Sequence, residues 1–177
     1  MKFRARDSVI ADNVVTNARD LVVWYSSGNT IRNNHVSGCR YGTHFMYSHK
    51  NVVTDNRYRD NVVGIFVMYS HDLELSRNLI AHCRGAAGMG LGIKESGNLQ
   101  VVENAFLANT TGVYLDSSPL DPAHSNQFDR NQFRMSETAI SFHSSSKRNE
   151  FTSNSLRDNA RQVQVGGGGD AGGGCGP

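Results

Sequence analysis

Proline, cysteine, tryptophan and unbalanced charge are all scarce in this chain. Its 177 residues include 3 Pro, 3 Cys and 1 Trp, and the formal net charge is only +2. So small a charge gives no general electrostatic case for binding nucleic acid or a membrane surface, and no nucleic-acid partner is expected. No apolar run approaches the ~20 residues needed to cross a bilayer as a helix. The opening MKFRARDSV carries basic residues but no apolar stretch follows, so no secretory signal is read there. The odd cysteine count (Cys39, Cys83 and Cys175) excludes a fully paired disulfide framework. No long segment keeps a 3.6-residue apolar period, which argues against a helical fold.

What the chain has in excess is asparagine, 17 residues. Much of it sits in one recurring pattern, apolar-x-x-Asn-x-apolar. The copies are IADNVV, IRNNHV, VTDNRY, LSRNLI, VVENAF, FDRNQF and FTSNSL, centred on Asn13, Asn34, Asn56, Asn78, Asn104, Asn131 and Asn154. The spacings are 21, 22, 22, 26, 27 and 23 residues. A second apolar segment follows most copies: LVVWYS, THFMYS, IFVMYS, LGIKES, VYLDSS and ISFHSS. Repeats of this length with short alternating segments and no helix imply a solenoid of β coils. Helix-pair repeats and leucine-rich repeats do not fit the pattern.

The expected fold is all-β, a right-handed parallel β-helix of about seven coils of roughly 22 residues, like residues stacking ~4.8 Å apart. It should cover residues 1–165, with residues 166–177 a Gly-rich disordered tail. Column Asn residues are expected to tolerate left-handed backbone and to bond to the Asn above and below. A second ladder is expected at Asn29, Asn51, Asn126 and Asn149. The two long spacings place insertions at CRGAAGMG (83–90) and SPLDPAH (118–124), where loops should bulge from the coils and carry binding functions.

Registering the second segments on Asp20, Gly42, Gly64, Gly90, Gly112 and Ala139 separates two faces. Leu21/Val23, Thr43/Phe45, Ile65/Val67, Leu91/Ile93, Val113/Leu115 and Ile140/Phe142 face inward. The outward columns read Val22, His44, Phe66, Gly92, Tyr114, Ser141 and Trp24, Met46, Met68, Lys94, Asp116, His143. One half of this face is soft and apolar, which a solvated sheet has no reason to be. It is covered core, a protein-contact surface or a metal site. Two thioethers (Met46 and Met68) beside the His44 imidazole suit Cu(I) and suit Mg²⁺ or Ca²⁺ poorly. Trp24, Phe66, Met89, Lys94, Asp116 and His143 are candidate binding residues on the same face or beside the insertions.

His49 and His71 stack beyond the Met pair and read as exposed turn residues or an extension of a metal route. Tyr25, Tyr47 and Tyr69 read as an aromatic stack bracing a corner. Cys39 and Cys83 share a column two coils apart, too far for a disulfide, and are expected free. Lys94, Asp116 and His143 on successive coils give an alternative reading, a carbohydrate-active β-helix of lyase or hydrolase type. One carboxylate in the column supports a two-acid mechanism poorly. The chain is not expected to be an enzyme.

The runs DLVVWYSSGNTIRNN, RYGTHFMYSH, VGIFVMYSH, GMGLGIKES and GVYLDSSP closely resemble the NosD family of nitrous oxide reductase maturation proteins, from about residue 3 to about 168. The resemblance implies a periplasmic β-helix that works with an ABC-type ATPase and its membrane permease. It implies a role in assembling the copper–sulfide centre of nitrous oxide reductase, with a copper chaperone lipoprotein as a further partner. It also implies a secretion signal and further coils outside this sequence, which would make the chain a central portion of a longer protein. The choice of His44, Met46 and Met68 as copper ligands rests on strand registration alone.

Overall fold

The computed structural model describes residues 2–3, 5–144 and 148–166. Among them every regular element is a β-strand. Three sheets run side by side as a right-handed parallel β-helix, with each strand pairing to those one coil away. Sheet 1 has eight strands: Lys2–Phe3, Asp20–Trp24, Tyr41–Met46, Val63–Met68, Met89–Lys94, Thr111–Asp116, Thr138–Phe142 and Arg161–Val165. Sheet 2 has seven, from Val9–Ala11 to Asn149–Thr152, and sheet 3 has seven, from Val14–Thr16 to Ser155–Arg157. The predicted fold and repeat length hold. Most of the Gly-rich tail, with Cys175, lies outside the described residues.

The core is a set of stacked columns. Val23, Phe45, Val67, Ile93 and Leu115 form one, and Ile31, Val53, Leu75, Val101 and Phe128 another. Phe106 and Phe133 stack at 4.9 Å between ring centres and Phe128 and Phe151 at 4.3 Å. Alternating residues fill the interior because successive strand side chains point to opposite faces.

The asparagine ladder is present, but the left-handed backbone falls one residue earlier than expected. Positive φ belongs to Asp12 (60°), Asn33 (54°), Asp55 (57°), Arg77 (53°), Glu103 (57°), Arg130 (52°) and Ser153 (54°), each immediately before a column Asn. The corner residue turns the chain, and the following Asn is thereby aimed inward. From Asn34 to Asn131 it is buried there, and its amide satisfies the corner's backbone groups. Asn34 Nδ2 donates to Asn56 Oδ1 at 2.9 Å, Asn56 to Asn78 at 3.0 Å and Asn78 to Asn104 at 3.0 Å. The same design recurs at the other corners.

The second ladder joins Asn29 to Asn51 and Asn126 to Asn149. Buried Leu73 and Leu99 interrupt it between them. A ladder unread from the sequence runs through Ser26, Ser48, Ser70, Ser96 and Ser118, each backbone N–H donating to the next Ser Oγ at 3.0–3.1 Å. It explains the recurrent Ser after Tyr25, Tyr47 and Tyr69. Those tyrosines occupy the corner at φ 47°, 49° and 50° and stack at 5.1 and 5.0 Å, as expected.

Cys39 and Cys83 are buried and free. Their backbone N–H groups donate to Asn61 and Asn109 in the same column. Burial pushes the Cys83 thiol up to about 12.

Candidate functional site on the outer face of sheet 1

Sheet 1 brings the predicted columns together. His44 pairs with Val22 on one side and Phe66 on the other, while Met46 lies between Trp24 and Met68. Met68 is followed by Lys94, and Lys94 by Asp116. The first coil departs from the assumed registration: Asp20 pairs with Tyr41 rather than Gly42, and a register shift before Val22 restores the later alignment. Thr43, Phe45, Ile65 and Val67 are fully buried, so His44, Met46, Phe66 and Met68 point outward, and all four are half-buried.

The glycines at the start of these strands have a steric cause. A Cβ at Gly64 would meet the Gly90 carbonyl oxygen and Ile80 Cγ2, each at 2.6 Å. Gly92 serves the outer face instead, since a Cβ there would lie 2.3 Å from the Phe66 ring. Phe66 therefore settles across Gly92 and against His44.

His44 is enclosed by aromatic rings. Its centre lies 4.8 Å from Tyr41 and 5.4 Å from Phe66. Arg40 covers Tyr41 at 4.8 Å and holds Asp20 through two bonds of 2.9 and 2.6 Å. Burial holds the imidazole below its ordinary pKa; nearby Asp20 opposes this and Arg40 adds to it. His44 Nε2 is buried with no hydrogen-bond partner among the described residues. A buried polar nitrogen in that position is costly unless something outside the chain meets it.

Met89 reaches the edge of this cluster, its Sδ lying against the outer side of Gly92 where the Phe66 ring also packs. It opens its strand opposite Val63, whereas Met68 ends its own opposite Lys94. Lys94 Nζ lies 3.7 Å from Asp116 Oδ2, and Asp116 Oδ1 accepts bonds from Ser117 and Ser144. His143 is exposed and packs on Tyr114 at 5.8 Å. The three predicted acid/base residues thus divide into an ion pair and an aromatic contact.

His49 and His71 are more than exposed turn residues. Their rings stack at 3.7 Å, and both are half-buried. The inserted loop brings His124 to within 5.5 Å of His71. His71 and His124 line a groove of about 460 Å³ with Tyr69, Asp72, Glu95 and Asp121; His49 stands behind His71, outside that lining. The signals were the repeated MYSH and an insertion ending in His, but their meeting is a three-dimensional fact.

The family described as "Periplasmic copper-binding protein (NosD)" matches residues 2–171. The chain belongs to the NosD family. No curated protein matches it at a significant level. Among solved structures it is similar to the periplasmic alginate epimerase AlgG, at 23% identity and TM-score 0.65 over 88% of this chain. A double mutant of AlgG gives 20% identity and TM-score 0.72 over 93%. The A-module of mannuronan C-5 epimerase AlgE6 from Azotobacter vinelandii gives 17% identity and TM-score 0.51 over 90%, and this chain covers 55% of its length. At these identities the likeness is one of fold. The chain spans 41% of the length of both AlgG structures.

A copper-binding NosD protein needs donors that suit its ion. Among the described residues no three His, Cys, Asp or Glu side chains converge as a metal group. The outer face of sheet 1 offers a different donor set, two thioethers and a neutral imidazole with an unpartnered buried nitrogen. Soft donors of this kind match Cu(I). The residues present therefore fit the ion in type, with His44, Met46 and Met68 as those that would hold it.

Proposed function

We propose that the protein is a copper(I)-handling and partner-docking β-helix, an accessory factor in assembling the copper–sulfide centre of nitrous oxide reductase. In this reading it works with an ABC-type ATPase and its membrane permease, and takes copper from a copper chaperone lipoprotein. Membership of a periplasmic copper-binding family supports the copper part. The observation that carries it is the unpartnered buried Nε2 of His44, on the sheet face that also presents Met46 and Met68. Copper is cargo here. Burial keeps His44 neutral and therefore able to donate a lone pair, and the half-buried thioethers leave one side of the cluster open to a partner. Trp24 and Phe66 extend that surface with apolar area.

The test is an anaerobic Cu(I) titration against a competing chromophoric ligand. Wild type should bind one equivalent, while Met46→Ala/Met68→Ala and His44→Ala should bind at least tenfold more weakly. Equal affinity across all three proteins would dispose of the site.

A further inference from the structure

The groove at the corner after sheet 1 contains a second donor set, chemically distinct from the first. Asp72 Oδ2 lies 2.8 Å from His71 Nδ1. The carboxylate accepts that proton, so the lone pair of His71 is on Nε2. Metal-ligating imidazoles characteristically make this contact to a carboxylate through their other nitrogen. His49 is placed differently. Its Nδ1 accepts the backbone N–H of His71 at 3.1 Å, which leaves the neutral ring's proton on Nε2 and no lone pair to offer.

His124 arrives from the 118–124 insertion. His71 forms a bridge to Gly97, and a Cβ at Gly97 would meet His124 Nδ1 at 3.1 Å and Pro119 Cβ at 2.9 Å. Glycine there lets the loop lie down against the corner. Asp121 pins the loop, its carbonyl accepting the His124 N–H at 3.0 Å and its carboxylate the Ala123 N–H at 2.8 Å. The His71 and His124 rings end 5.5 Å apart and tilted by 41°. Two imidazoles sharing one ion at metal–nitrogen distances of about 2 Å have ring centres about 5–6 Å apart. Asp72, Asp121 and Glu95 in the same groove give it a negative field that draws cations and repels acidic polymers.

We propose that His71 and His124 form a two-imidazole site for a divalent first-row cation of the Cu(II) or Zn(II) class, with Asp72 as positioning residue. Imidazole nitrogen donors suit these borderline ions, whereas the thioethers on the sheet face suit Cu(I). With only two imidazoles supplied, the ion keeps open positions, the arrangement of an exchange site rather than a closed structural one.

The experiment is titration of the chelator-stripped full chain with Cu(II), followed by electron paramagnetic resonance, and Zn(II) competition against a chromophoric chelator. One equivalent with nitrogen hyperfine structure is expected. His71→Ala and His124→Ala should each lose at least tenfold in affinity, and Asp72→Asn about tenfold. His49→Asn and Met46→Ala/Met68→Ala should leave it unchanged, so failure here is separable from failure of the Cu(I) reading. His124 lies on the insertion outside the stacked coils, so its replacement leaves the ladders intact, which the thermal midpoint checks. Binding retained by either single His variant, or lost in the Met double variant, would overturn the assignment.

Discussion

The backbone N–H of His71 donates to Nδ1 of His49 at 3.1 Å while the two rings lie face to face. One coil earlier the N–H of His49 donates to Ser27 Oγ at 3.3 Å. The column thus satisfies a backbone donor with a side-chain acceptor at each step. His49→Ala removes the acceptor for a half-buried amide and should cost about 1 kcal/mol in urea denaturation. His49→Asn places an oxygen near the Nδ1 position and should be the milder change. Equal losses would show that ring stacking, not the amide bond, is what His49 contributes.

The asparagine ladder should be far more sensitive. Asn56 Nδ2 donates to Ile31 O, Thr54 O and Asn78 Oδ1, and its Oδ1 accepts from the N–H and Nδ2 of Asn34. Asn56→Ala leaves several of these groups buried and unmet, at about 3–5 kcal/mol. Asn56→Asp should be worse at neutral pH, because a carboxylate would face the two carbonyl oxygens that the amide now serves. Chemical denaturation of the two variants checks both the size and the order.

Two glycines should respond to the same substitution by different amounts and for different reasons. Gly64→Ala forces a Cβ onto the Gly90 carbonyl and Ile80, and should destabilise by about 3 kcal/mol. Gly85 has φ +111° with nothing within 4 Å of a Cβ, so Gly85→Ala meets backbone strain alone, about 1–2 kcal/mol. Similar thermal midpoints for the two would refute the packing account of the glycine column.

An acid-dependent contribution is expected at Asp55. Its hydrogen bonds from the Arg77 guanidinium, at 2.9 and 3.0 Å, hold the carboxyl below the ordinary value of 3.8. A depressed carboxylate stabilises the fold above its unfolded pKa, and that contribution fades as pH falls through the folded pKa. The pair is well exposed, so the effect is small. Arg77→Gln should lower the thermal midpoint by about 1 °C at pH 7, with the gap closing toward pH 2. A constant gap across that range would sink the ionic explanation.

The coil repeat and both outward columns of sheet 1 were legible because period-2 alternation and a fixed repeat length are local properties of the chain. His44, Met46 and Met68 could be assigned to one face on that ground. The corner conformation was not legible in the same way. Asp12, Tyr47, Lys50, Arg77 and His82 all adopt positive φ, and no single residue type marks the position. In most coils the residue that follows is a buried Asn or Ser, whose value appears only once coils are stacked, and Leu73, Cys83 and Leu99 take its place after Asp72, His82 and Asn98. The shift at Asp20 was hidden because the first coil is one residue short there, and the apolar pattern reads equally well either way. The groove was illegible for a different reason: His71 and His124 are 53 positions apart in the chain, and an insertion of unknown path joins them.

Trp24 is the chain's single tryptophan, and its ring centre is 5.5 Å from Tyr25, which begins the stack continued by Tyr47 and Tyr69. Phenol rings so closely spaced exchange excitation, and the indole lies at the end of the row as its acceptor. Light absorbed by Tyr47 and Tyr69 should therefore emerge as tryptophan fluorescence while the coils are stacked, and as tyrosine fluorescence once they separate, whereas Tyr25, next to Trp24 in the chain, transfers in either state. The corner that braces the solenoid is also a built-in optical gauge of whether its first coils are in register.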